Sequence, residues 1–401
     1  MTTITAKQKL KFILRRWVQR IHLVTTLLFG GFIFLEILSG TLLLFMPELK
    51  PLLHPKLYHV TPGSSISVAE ALKYTHAWNP AFRVESVITP VLTGNVYSVS
   101  SAESTVFIDP GTGQINGLAN VSDILDWIFS LHYSFFLPGS RPGGSDGSLS
   151  ETWGRFSVGV IGALLVLMLL TGLVLWWPGI KRRLAAFRVR RNNSFVWNYS
   201  IHKLIGVIVA IPLLVITLVM LPYSFGDYSQ PVLNFLHIPE MNAPRIMSSR
   251  NSAPKANGEQ LSLDELVNKA IAVAPGSKFI SIYTYDNERK ANPNLPVDAT
   301  LTTGYDGALG TGTWGGNVSV QLDRYSGEVL NFQDARESLF LAQAIHGQLW
   351  MGIHMGTWGG WTTRILEFLI SIAALYLPWT GIRQWWIKQK ARKTRKKDFV
   401  V

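Results

Sequence analysis

The chain is 401 residues long, 48% hydrophobic and only 15% charged, with 37 Lys and Arg against 25 Asp and Glu and a formal charge of +12. Ordinary soluble domains carry about 25% charged residues, so this composition excludes a wholly soluble enzyme. The absence of Cys excludes disulfides, Cys-ligated zinc, iron–sulfur clusters, thiol nucleophiles and covalent haem attachment, leaving His, carboxylate, Tyr or Met to hold any metal.

Residues 1–22 form a basic segment with Lys7, Lys9, Lys11, Arg15, Arg16 and Arg20, followed by an apolar run over 23–46. That run exceeds the about 7 to 15 residues of a signal-peptide core and no A-x-A cleavage site follows, so it reads as a retained membrane helix. A module over 47–153 follows, with a helix expected at 67–78 and strands at 84–88, 96–100 and 105–108, separated by Gly, Asn and Pro turns. The second apolar run covers 156–177, and the loop 178–201 holds Lys181, Arg182, Arg183, Arg188, Arg190 and Arg191. The third run is 204–221. A second module spans 222–363, with a helix at 262–273 opened by a Ser262-x-x-Glu265 capping box, strands at 278–283, 297–303 and 317–322, and a Gly-rich connection over 304–316. The fourth run, 365–387, leads into a basic tail over 388–401.

Each run approaches or exceeds the roughly 20 apolar residues that span a bilayer. The three basic segments fall on one side of a four-span topology, so the positive-inside rule predicts cytoplasmic termini and middle loop, with both modules outside. The positive charge is then topogenic, a lipid bilayer is the expected partner, and no nucleic acid is expected.

The two halves align as a repeat. Ile108-Asp109-Pro110-Gly111-Thr112-Gly113-Gln114-Ile115 matches Leu322-Asp323-Arg324-Tyr325-Ser326-Gly327-Glu328-Val329, each a strand, a turn and a return strand. Arg155, Thr171-Gly172 and Trp176-Trp177 match Arg364, Thr380-Gly381 and Trp385-Trp386 at one offset, and Trp17 and His22 match Trp197 and His202. The expected fold is therefore an α-helical membrane protein with four transmembrane helices, two small extracytoplasmic α+β modules and an internal duplication.

A W-x4-H entry into an apolar helix, a module ending IDPGTGQI, an LH or IHMG before the next helix and a TG-x3-WW exit resemble the PepSY-associated transmembrane family over nearly the whole chain. The arrangement is similar to its ferric-siderophore reductases of the FoxB type, inner-membrane proteins that hold b-type haems between their helices. The resemblance implies two haems b, a ferric siderophore as periplasmic substrate and a separate electron donor. A non-enzymatic role, binding or regulating a periplasmic peptidase or partner protein, stays open.

The nine histidines are compatible with such a cofactor. His22 and His202 occupy corresponding ends of the first and third spans, while His132 and His354 precede the second and fourth. With no Cys, an imidazole from each of two helices is the natural clamp for an electron-transferring haem iron. His346 is the alternative to His354; on one continuous helix the two would point about 80° apart and lie roughly 12 Å apart along the axis, so only one joins His132. The resemblance favours His354. Gly206, Gly30 and Gly31 suit either a flat ring against the backbone or close helix packing. Arg16, Arg20 and Lys203, and Arg141, Arg155 and Arg364, are candidates for propionate pairing or interfacial anchoring.

Glu36 is the acidic residue placed deepest in a span, open to reading as a proton relay or as a protonated helix-to-helix hydrogen bond; Glu367 reads as an interfacial anchor. Trp127, Tyr133, Phe135, Phe136, Trp153, Trp350, Trp358 and Trp361 gather around His132 and His354, where a chelate would dock beyond what an aromatic belt explains. His54, His59, His76 and His237 show no metal-ligand spacing.

Overall fold

The computed structural model describes residues 6–90, 95–101, 104–119, 123–137, 149–177, 187–242, 245–246, 260–284, 294–302, 317–346 and 349–398. The helices are α1 (Ala6–Leu43), α2 (Met46–Leu53), α3 (Val68–Trp78), α4 (Ile124–Ser134), α5 (Leu149–Trp176), α6 (Ser194–Phe225), α7 (Gln230–Phe235), α8 (Leu263–Val273), α9 (Phe340–Ile345), α10 (Leu349–His354) and α11 (Gly360–Asp398). The strands are β1 (Ser86–Ile88), β2 (Tyr97–Ser100), β3 (Thr105–Ile108), β4 (Ile115–Ala119), β5 (Arg245–Ile246), β6 (Lys278–Tyr283), β7 (Val297–Thr302), β8 (Asn317–Leu322) and β9 (Val329–Asp334). Arg141, Lys181, Arg182, Arg183 and the Gly-rich connection 304–316 lie outside the described residues.

The chain divides into two compact units. The helical unit comprises Met1–Leu43, Ile128–Gln230 and Ile365–Val401, and the sheet unit comprises Leu44–Trp127 and Pro231–Arg364.

Four helices are long and apolar enough to cross a membrane, over Phe12–Leu43, Trp153–Trp176, Ser194–Phe225 and Gly360–Ala391, and the chain is a multi-pass membrane protein. α1 and α11 run beyond their apolar stretches because the flanking Lys, Arg and Gln are good helix formers. α6 starts where Asn193 Oδ1 accepts the Val196 amide at 2.9 Å. Inside the unit, Ile33, Ile161, Leu165, Leu169, Val209, Leu213 and Ala374 pack together. Leu28, Ile211, Leu369 and Trp379 remain exposed, which suits hydrocarbon and not water.

In the sheet unit all nine strands form one antiparallel sheet in the order β4-β3-β2-β1-β6-β7-β8-β9-β5. The two expected modules are not separate: β1 pairs with β6, Val87 opposite Ile282, and joins them. An unpaired edge on a three-residue strand leaves backbone groups unsatisfied, and β6 supplies the partners. The register carries one apolar row across both halves: Leu118, Val106, Val99, Val87, Ile282, Ala299, Val320 and Phe332. That face packs with α3 and α8 in a single core.

The local signals are found in matched form. Ser67 and Glu70 close a capping box on α3, and Ser262 and Glu265 close one on α8. The two helices are tied where Asp264 accepts the Ala69 amide at 2.9 Å. In the hairpin turns, the Asp109 amide donates to Gln114 O at 2.9 Å and the Asp323 amide to Glu328 O at 2.8 Å. Each turn places a glycine, Gly113 at φ 75° and Gly327 at φ 67°, in the left-handed region that side chains with a Cβ avoid.

Arg364, 1% exposed, anchors the end of the sheet unit. Its guanidinium bonds Glu48 at 2.6 Å through two nitrogens, donates to Leu44 O, and lies over the Phe45 and Trp361 rings at 5.0 Å each. These contacts account for Arg364 without a propionate.

Candidate functional site

Of the histidines singled out in the sequence, three are seated in the helical unit in closely similar ways. His22 projects from α1 towards α5, where its Nδ1 lies 3.1 Å from Met168 O and 3.0 Å from Thr171 Oγ1. A carbonyl only accepts, so Nδ1 carries the proton. The single Thr171 hydroxyl proton is directed at its own helix, Oγ1 lying 2.8 Å from Leu167 O and 3.0 Å from Met168 O, which leaves Oγ1 to accept from the imidazole. The neutral ring then has its lone pair on Nε2. Gly172 sits against the ring: a Cβ there would lie 3.4 Å from His22 Cε1.

His202 on α6 repeats this arrangement with α11. Its Nδ1 is 2.7 Å from Thr380 Oγ1, and Thr380 Oγ1 donates to Leu377 O at 2.8 Å. Buried Asn198 donates to Thr380 O at 2.8 Å and fixes that turn of α11. A Cβ at Gly381 would stand 3.6 Å from His202 Cε1. Neither the His22 nor the His202 Nε2 has a hydrogen-bond partner among the described residues.

His132 is carried by α4. Its Nδ1 lies 3.1 Å from Glu36 O, 3.1 Å from Ser39 Oγ and 3.0 Å from Glu36 Oε2, while Ser39 Oγ donates to Leu35 O at 2.7 Å. The neighbouring glycine is tighter here, since a Cβ at Gly40 would come within 2.9 Å of His132 Cε1. Burial opposes protonation of His132, and the Glu36 carboxylate outweighs it, holding the imidazole above its ordinary value.

Three hydroxyl–glycine dipeptides, Ser39-Gly40, Thr171-Gly172 and Thr380-Gly381, thus seat one imidazole each. The hydroxyl turns its proton inward and its oxygen to Nδ1, and the glycine gives the ring room. The sequence shows the repeated Thr-Gly pairs but not what they touch, and Ser39-Gly40 has no part in that reading. The available signal is a Ser or Thr followed by Gly within an apolar span.

Glu36 bonds His132 through Oε2, and its buried Oε1 has no hydrogen-bond partner among the described residues. Glu367, expected at an interface, is buried at 8% exposure within the fourth candidate span. His346 and His354 belong to the sheet unit and to two separate short helices: His346 caps α9 and His354 ends α10. The buried His346 Nε2 has no hydrogen-bond partner among the described residues.

Among the arginines, Arg16 and Arg20 lie over Phe12 and Trp17 of their own helix at 5.6 and 5.2 Å. Arg155 lies over Tyr223 at 5.3 Å, whose hydroxyl meets that of Tyr133 at 3.1 Å. Gly206, one turn beyond His202, has open space beside it, the nearest atom to an added Cβ being Leu377 Cδ2 at 4.0 Å, and Gly31 has nothing within 4 Å.

In the sheet unit, His54 Nε2 pairs with Asp123 at 2.7 Å and Lys50 with Asp126 at 2.8 Å. Burial pushes Asp123 up, and the Asp126 amide, His54, Lys50 and the Leu125 amide together hold it below the usual carboxylate value. Tyr58 is pushed up to about 12 by burial and then by Asp123 and Asp126. No three His, Asp or Glu side chains gather as a metal-binding group among the described residues; a haem iron asks for only two axial ligands.

No curated protein matches the chain. Residues 19–388, from the helix carrying His22 to the one carrying Thr380-Gly381, match the PepSY-associated TM region. The chain belongs to the PepSY-associated transmembrane family.

Proposed function

We propose that the chain is an internally duplicated oxidoreductase of the bacterial cytoplasmic membrane, with both termini and the basic loop in the cytoplasm. It takes electrons from an unidentified donor and reduces the iron of a ferric siderophore on the periplasmic side, serving iron uptake.

The observation that carries this reading is the seating of His22 and His202. Each is a neutral imidazole whose Nδ1–H is bonded to protein and whose Nε2 has no hydrogen-bond partner among the described residues. Ligating histidines are held in this way by the shell behind them. The donor set, two imidazoles from different helices with glycines beside the rings, suits haem b. Bound haem b supplies reversible one-electron transfer at its iron. His132 offers a second seated imidazole, and with it a place for a second haem b.

The residues of the chain hold the imidazoles in one tautomer, and the apolar faces around Ile33, Leu169 and Leu213 exclude water. Ferric iron in hard oxygen donors is tightly held; one added electron makes it ferrous and weakens the chelate, so no general base or nucleophile is needed. The sequence has no Gly-rich nucleotide motif, and NAD(P)H or flavin would act through a partner.

Purified protein is expected to give a reduced-minus-oxidised spectrum with Soret and α bands, and His22→Ala and His202→Ala should each lose the same one of two haems. Dithionite-reduced protein mixed anaerobically with ferric siderophores should reoxidise with at least one. Folded, colourless protein would overturn the reading in favour of a module that binds a peptidase or partner protein.

A further inference from the structure

We infer that Thr171 and Thr380 are positioning residues that set the reduction potential of the site formed by His22 and His202, a role that rests on the haem reading above. The two hydroxyls occupy matched places. Each is one residue before a glycine within a candidate membrane span, each commits its only proton to its own helix, and each presents oxygen to the Nδ1–H of an imidazole from another helix. At His22 the Met168 carbonyl requires a proton on Nδ1, so Thr171 Oγ1 accepts from it; at His202 the donation of Thr380 Oγ1 to Leu377 O leaves its oxygen to accept from Nδ1–H.

An acceptor at Nδ1 increases electron density at Nε2, and a more basic imidazole favours the ferric over the ferrous state. The hydroxyls therefore lower the potential and make the reduced site a stronger donor. They also hold the rings in place: His22 has the Met168 carbonyl besides, and at His202 Nδ1 meets Thr380 Oγ1. The Thr380 bond, at 2.7 Å against 3.0 Å for Thr171, is the stronger lever, and Asn198 holds it through the Thr380 carbonyl.

Thr and Ser also bond back to their own helix with no other duty. A purely structural hydroxyl affects folding and leaves the spectrum of a bound haem alone, and this separates the two roles. The test uses full-length holoprotein with Thr380→Val, Thr380→Ser, Thr171→Val and Thr171→Ser. Haem stoichiometry, the midpoint potential from optical redox titration and the g values of the low-spin ferric haem by electron paramagnetic resonance are measured on each.

The Val variants should raise the midpoint potential of the haem that His202→Ala abolishes, more for Thr380 than for Thr171, and shift its g values. The Ser variants should return both to wild type. Loss of that haem in Thr380→Val but not in Thr380→Ser, with helicity unchanged by circular dichroism, supports the same role. Val variants that keep the haem with unchanged potential and g values overturn it while leaving the haem reading intact. Equal loss in Val and Ser also overturns it. Wild-type protein without haem fails the functional reading itself.

Discussion

The seats of His22 and His202 differ from that of His132 in charge and in clearance. At the first two, Nδ1–H meets neutral oxygens, a Thr hydroxyl at each and the Met168 carbonyl at His22. At His132 the same hydroxyl–glycine framework is kept, but a carboxylate, Glu36 Oε2, is added 3.0 Å away. A glycine at 2.9 Å clearance replaces glycines at 3.4 and 3.6 Å. One backbone device thus serves two electrostatic settings: the dipeptide fixes the tautomer, and what stands behind it decides how strongly negative the imidazole becomes.

The largest effect is expected from the tight seat. Gly40→Ala pushes a methyl into the His132 ring, a misfit that costs about 1 to 3 kcal/mol where neighbours must shift. One of two haems should be lost, as counted by pyridine haemochrome assay. Gly381→Ala, with ordinary van der Waals clearance, should keep both; equal loss in the two variants would erase the distinction in clearance.

Next comes the charge. Glu36→Gln keeps the shape and removes the carboxylate from His132, so the potential of its haem should rise while that of the His22 and His202 site stays put. Redox titration with the two haems resolved checks this, and a shift at the other site would show that the settings are coupled.

A smaller effect is confined to the sheet unit. Asp123 has a folded pKa below its ordinary 3.8, so its contribution to stability is present above that value and lost as pH falls through the depressed one. Thermal melting of the sheet should weaken in acid, and Asp123→Asn should flatten that dependence. A small change is also expected from Gly172→Ala, whose 3.4 Å clearance lies at the border of what the ring tolerates: a slight g-value shift with haem retained.

Features written in consecutive residues were legible in the sequence. The capping boxes at Ser67 and Ser262, the paired Asp–Gly turns and the four apolar runs are local patterns, and the helices and strands nearest them lie within a few residues of expectation. α4 was not read, although Asp123 and Asp126 bond each other's amides at its start in the manner of a capping box. The β1–β6 pairing and the Thr171 and Thr380 contacts were illegible for another reason: their partners are far apart in the chain, and the hydrophobic pattern says which face of an element is buried, not what meets it. The angle between His346 and His354 presumes one continuous helix, whereas His346 caps α9 and His354 ends α10.

The joining of the sheet through β1 and β6 also has a consequence for biogenesis. During synthesis the first meander is complete long before β6 exists, because α5 and α6 must be made and inserted in between. Until then β1 offers an open edge of three residues, and closing so long a loop is slow. A nascent chain halted after α6 is therefore a form of this protein prone to mispairing with other strands, and a chaperone covering the β1 edge would be needed during that interval alone.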